Sequence, residues 1–176
     1  MPKYDLDWYV PLKEVDTIST ELINVLDKKV IYLIGSLRNP DIAKISNQLE
    51  EATGHEVFSD WRAAGILADD SWQEYMNERG KGYIDALDSY AAQHVFRFDD
   101  EHLRRSDIVV LVMPAGRSGH LELGVSLGRG KRGYILMDKE PDRYDVMYNF
   151  CTKKKDGSAG VFFDINALIK ELGNNG

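Results

Sequence analysis

Cysteine is nearly absent: the one thiol, Cys151, excludes an internal disulfide, and no Cys/His spacing suits zinc. Cys151 reads as a buried or incidental thiol. No apolar run approaches the ~18 residues a membrane-spanning helix needs, and no basic-then-apolar amino terminus reads as a signal peptide. The expectation is therefore a cytoplasmic protein. Basic residues are also in deficit, 22 against 29 acidic, for a net charge of -7. Neutralising a phosphate backbone needs a basic footprint, so a dedicated nucleic-acid binder is excluded, whereas a small anion held by local arginines is not. Internal repeats and low-complexity stretches are absent.

What is present is enough apolar material, 43% of 176 residues, for one well-buried core. Residues 1–29 read as an N-terminal extension with a helix, since Thr17 to Lys28 carries Ile18, Leu22, Val25 and Leu26 at helical spacing. Residues 30–176 read as a single α/β catalytic domain. Val30 to Ile34 is a strand, followed by a Gly-Ser turn and by Asn39-Pro40 as cap and first position of a helix. Ile42, Ile45, Leu49 and Ala52 form that helix's apolar stripe, and Gly54 stops it. A short strand spans Glu56 to Phe58. Ser71 to Glu74 matches a capping box opening a long helix with the stripe Trp72, Tyr75, Met76, Arg79, Tyr83, Leu87 and Tyr90. Asp99 to Arg105 reads as a short helix, Ile108 to Met113 as a strand buried on both faces, and Gly133 to Met137 as another strand. Val161 to Phe163 and Ile165 to Leu172 supply the last strand and helix, after a solvated Lys153-Lys154-Lys155 turn.

Alternating strands and helices imply a doubly wound, flavodoxin-like parallel sheet of five strands in the order 2-1-3-4-5. That order sets the turns Gly35 to Asn39 and Pro114 to Gly119 side by side at the switch point where ligands bind. Within the second turn Ser118 reads as an N-cap. Glu122 would then stand in the first turn of its helix, where free N–H groups and the dipole favour an ionised carboxylate able to attack carbon. Gly124 and Gly128 are expected to let this helix pack closely on the sheet, with Leu121 and Val125 among its apolar flanks. Gly35, Ser36 and Arg38 follow a strand and precede a helix, a setting that can receive phosphate or ribose hydroxyls. Asp60-Trp61 and Asp69-Asp70 flank a loop that can cover the site, with Trp61 either stacking on a base or buried. Gly128 to Gly133 fits G-x-G-x-x-G but follows a helix and precedes a strand, the reverse of a dinucleotide fingerprint.

Three segments together carry a resemblance: Tyr32 through Arg38; Asp99 leading into Leu103 and Ser106 through Val110; and Ser118-Gly119-x-x-Glu122-Leu123-Gly124. In order and spacing they resemble the nucleoside 2-deoxyribosyltransferase family and its branch of nucleoside 5'-monophosphate N-glycosidases, over roughly residues 30 to 150. The resemblance implies cleavage of the bond between a nucleobase and C1' through a covalent glycosyl-glutamate. By position, Glu122 is the nucleophile, Asp99 the proton donor or orienter for the base, and Tyr32 the residue holding nucleophile and sugar. Gly35, Ser36 and Arg38 resemble the sugar-phosphate turn, and Ser118 and Gly119 lie near a second phosphate loop. It further implies no metal or organic cofactor, a small-molecule nucleoside or nucleotide as partner, and a homodimer or larger. Readings from other classes are a non-catalytic nucleotide sensor and an NAD glycohydrolase.

Overall fold

A computed structural model of the chain describes residues 28–173; the helix expected between Thr17 and Lys28 lies almost wholly outside them. The strands are β1 (Val30–Ile34), β2 (Glu56–Phe58), β3 (Ile108–Val112), β4 (Arg132–Leu136) and β5 (Val161–Phe162). All pair in parallel, in the order β2-β1-β3-β4-β5. This is the expected flavodoxin-like topology, with β4 starting and ending one residue earlier than its sequence pattern suggests.

Period-2 alternation divides the strands between two apolar clusters. Ile31, Leu33, Ile108, Val110, Val112 and Leu136 meet α1 (Ile42–Thr53) and α6 (Ile165–Gly173) through Ile42, Leu49, Leu168 and Leu172. Tyr32, Ile34, Val109, Leu111 and Ile135 meet α4 (Tyr90–Arg105) and α5 (Arg117–Gly128) through Leu103 and Leu123. Leu49, Leu168 and Leu172 are fully buried, and each such side chain contributes about 1.5–3 kcal/mol by leaving water. Cys151 lies in the second cluster at 3% exposure.

Helix boundaries depart from the sequence reading where local hydrogen bonds decide them. α1 begins at Ile42, not Pro40: Asn39 Oδ1 accepts the Asp41 N–H at 3.0 Å, so Asn39-Pro40 forms the turn before the helix. Its end is as expected, on Gly54 with φ 68°. The capping box at Ser71 is not one, because the Ser71 N–H already donates to Leu67 O and α2 (Ala68–Glu78) starts earlier, with Asp69 and Asp70 in its first turn. The long helix read from Trp72 to Tyr90 is three separate pieces. Gly80 takes φ 67° and ends α2, Gly82 opens α3 (Tyr83–Leu87), and Ser89 caps α4 by accepting the Ala92 N–H at 3.3 Å. The short helix expected from Asp99 is the last half of α4.

The glycines that seat α5 are also different ones. Around Gly124 and Gly128 there is open space, and Leu121 and Val125 are exposed. A Cβ on Gly119 would instead come within 3.0 Å of Ile34 Cγ2 and 3.1 Å of Leu111 Cδ1, and one on Gly133 within 2.7 Å of Leu127 Cδ2. α5 therefore lies on β1, β3 and β4 through Gly119 and Leu123, and Glu122 takes a phase beside that contact.

Candidate active site

Three sequence-predicted residues converge on the α4–α5 side of the sheet. Tyr32 comes from the middle of β1, Asp99 from α4 one turn before the core residue Leu103, and Glu122 from α5 next to the core residue Leu123. The Tyr32 hydroxyl donates to the Asp99 carboxylate, and both carboxylates act on the phenol. Burial foremost, then Glu122 and Asp99, pushes the Tyr32 phenol far above its ordinary range, so it stays a neutral donor.

Glu122 is not in the first helical turn. Gly116 is the N-cap and Glu122 the sixth residue of α5. The free N–H groups at the helix start therefore do not set its charge; desolvation does. Burial, with the Asp99 carboxylate second, pushes Glu122 up to about 7. Asp99 is raised by burial as well, against the Tyr32 hydrogen bond and the nearby His102, which lower it. Two desolvated carboxylates of like charge are coupled, each making ionisation of the other less favourable.

Asp99 Oδ1 is buried without a hydrogen-bond partner, and so is His102 Nδ1 one turn along the helix. His102 stacks on Phe58 with ring centroids 3.9 Å apart, and Phe58 in turn meets Tyr32 at 5.1 Å. The sequence reading missed His102; the spacing Asp99-x-x-His102, one helical turn, was the available signal. Asp100 binds Arg104 at 2.7 Å and Arg129, the C-cap of α5, at 2.8 Å, which ties the two carboxylate-bearing helices together.

The remaining predicted residues divide. Gly119 stands against Ile34, so the turn before α5 and the turn after β1 are neighbours as the topology requires. Ser118 is exposed at the start of α5. Gly35 is a packing glycine: a Cβ there would sit 2.5 Å from Ile42 Cδ1. Ser36 Oγ accepts the Arg38 N–H at 3.2 Å. The Arg38 guanidinium holds both oxygens of Asp70, at 3.0 and 2.8 Å. Trp61 packs against both apolar clusters and its N–H donates to Leu33 O at 2.8 Å, while Asp60 is exposed at the start of a 3-10 turn, Asp60–Ala64. His120, unremarked in sequence, accepts from the Tyr148 hydroxyl at Nε2 (3.0 Å) while Nδ1 donates to Gly116 O (2.9 Å), a tautomer assigned from the carbonyl partner. That bond adjoins a cavity of about 410 Å³ lined by Met137, Tyr144, Tyr148 and Phe163. Among the described residues no group of His, Cys, Asp and Glu is arranged to hold a metal ion.

The chain shares its fold with a 2-deoxyribosyltransferase from Bacillus psychrosaccharolyticus: TM-score 0.52, 21% identity, over 84% of this chain and 92% of that one. A CMP N-glycosidase of Clostridium botulinum, BcmB, aligns at TM-score 0.45 and 12% identity, over 82% of this chain and 98% of that one. No protein-family profile and no curated protein sequence matches the chain.

Proposed function

We propose that this chain cleaves the bond between a nucleobase and C1' of a nucleoside or its 5'-monophosphate and passes the sugar to water or to another base. The observation that carries the reading is the convergence of Glu122, Asp99 and Tyr32 in a desolvated site, with Glu122 pushed up to about 7. Ionised Glu122 attacks C1', the C1'–N bond breaks with its electron pair leaving on the base, and protonated Asp99 gives its proton to that base. Asp99, now a carboxylate, takes a proton from the incoming water or base as that nucleophile attacks C1' and frees Glu122. Tyr32, a neutral donor, holds the Asp99 carboxylate in place between the two steps. The scheme agrees with the family resemblance of the three motifs and with the fold shared with a deoxyribosyltransferase.

Incubation with the common nucleosides and their 5'-monophosphates, with and without a second free base, followed by chromatography, tests it. Release of free base supports hydrolysis, and a new nucleoside supports transfer. Binding without product would make the chain a nucleotide sensor, and nicotinamide released from NAD would make it a glycohydrolase of that dinucleotide.

We also infer a homodimer or larger assembly. Tyr83, Ile84, Tyr90 and Phe96 on α3 and α4 are each more than 60% exposed, an amount of apolar surface that association would cover. Sedimentation at micromolar concentration tests it; a fully active monomer would dispose of it.

A further inference from the structure

The Gly35 to Asn39 turn offers an anion the Ser36 hydroxyl and the Arg38 guanidinium, yet that guanidinium already holds a carboxylate. Arg38 Nη2 lies 3.0 and 2.8 Å from the two oxygens of Asp70, a residue in the first turn of α2, 32 positions away in sequence. Both oxygens of that carboxylate sit on Nη2, one of the three guanidinium nitrogens. An incoming phosphate therefore meets Arg38 with a carboxylate already beside it, like charge next to like charge. A neutral 5'-hydroxyl does not meet that cost. Both side chains are largely exposed, 61% and 49%, so the pair adds little to fold stability. Its effect falls on whatever ligand shares the turn.

Resting on the glycosidic reading above, we propose that Asp70 is the specificity-determining residue of this site: by holding Arg38 it selects nucleosides with a free 5'-hydroxyl and turns away 5'-monophosphates. This reverses the expectation drawn from the Gly35-Ser36-Leu37-Arg38 turn alone, because that expectation counted Arg38 as an available cation. Asp70 comes from the segment between β2 and α3, where sequence spacing gives no hint of a contact with the first turn.

The test compares wild type, Asp70→Asn, Asp70→Ala and the double variant Arg38→Ala/Asp70→Asn. Two readouts are taken: the ratio of kcat/KM for a 2'-deoxynucleoside and its 5'-monophosphate, and calorimetric binding of ribose 5-phosphate against ribose. Wild type should favour the nucleoside and bind ribose 5-phosphate no better than ribose. Either single variant should shift the ratio toward the monophosphate and tighten ribose 5-phosphate by about ten- to a hundredfold, the effect of one charged contact, and the double variant should lose that gain. A wild type that already prefers the monophosphate, or an unchanged preference and unchanged phosphate binding after Asp70 is neutralised, overturns the proposal. If no nucleoside or nucleotide is turned over, the glycosidic reading fails, while the binding comparison still decides what Asp70 does to phosphate.

Discussion

The two faces of the sheet are built from alternate residues of the same strands and serve opposite ends. Toward α1 and α6, Ile31, Leu33, Val110, Leu49, Leu168 and Leu172 form an apolar layer that includes the Tyr134 ring and no carboxylate. Toward α4 and α5, the strand and helix positions beside Ile34, Leu103 and Leu123 carry a phenol and two carboxylates, with Asp99 Oδ1 and His102 Nδ1 left unpartnered. An unsatisfied buried polar atom costs about 1–3 kcal/mol. The first face supplies the cohesion that lets the second hold ionisable groups out of water.

The sharpest way to break this contrast is to remove the proposed nucleophile. Glu122→Ala should lose about a thousandfold or more in turnover, at least ~4 kcal/mol of transition-state stabilisation, while keeping its circular dichroism spectrum. A variant retaining more than about a tenth of wild-type rate would refute the assignment. On the opposite face, Leu168→Ala should cost about 2–5 kcal/mol of stability through the cavity it leaves. Its denaturation midpoint should fall while turnover per folded molecule stays at the wild-type level. A loss of specific activity with no change in midpoint would mean that the faces are not separable in this way.

A third variant makes the cost of the site visible as pH dependence. Glu122 has a folded value of about 7 against an ordinary 4.5. The native state thus keeps a proton that the unfolded chain releases, and wild type gives up stability as pH climbs between those values. Glu122→Gln cannot ionise. It should match wild type below about pH 4 and exceed it by about 1–3 kcal/mol above about pH 8 in denaturant titrations. An equal difference at both pH values would show that burial does not control this carboxyl. The smallest effect is expected from Tyr32→Phe, which removes the donor to Asp99. The Asp99 carboxyl should climb further, seen as a displaced limb in the pH profile of kcat/KM. A profile that does not move would place the Tyr32 hydroxyl outside the proton economy of the site.

The topology was legible because its determinants are local. The β-branched runs at 30–34 and 108–112, the glycine at 54 and the alternation of element types together fix a parallel sheet in the order 2-1-3-4-5. Glu122 stood out for the same reason, in a helix entered directly from a buried strand. Its environment did not, because the boundary moved from Ser118 to Gly116 and put the carboxylate two residues deeper, under burial rather than at the helix end. The segment from Ser71 to Tyr90 was misjudged as one helix, since helical spacing persists across Gly80 and Gly82 although the backbone does not. Arg38 was read as free because its partner lies 32 residues away, and no periodicity encodes a contact at that range. The close-packing glycines of α5 depend on the helix's rotation about its own axis, which Gly119 and Gly133 settle only once the sheet is assembled.

Cys151 gives the molecule an internal clock. It is the chain's sole thiol, it lies within the same apolar cluster as Tyr32 and Leu123, and burial pushes it up to about 11. Only a thiolate attacks a disulfide reagent, so the closed protein is nearly silent toward one. Labelling then requires a local opening around Cys151, and the rate at which the reagent is consumed reports how much of the protein is open there.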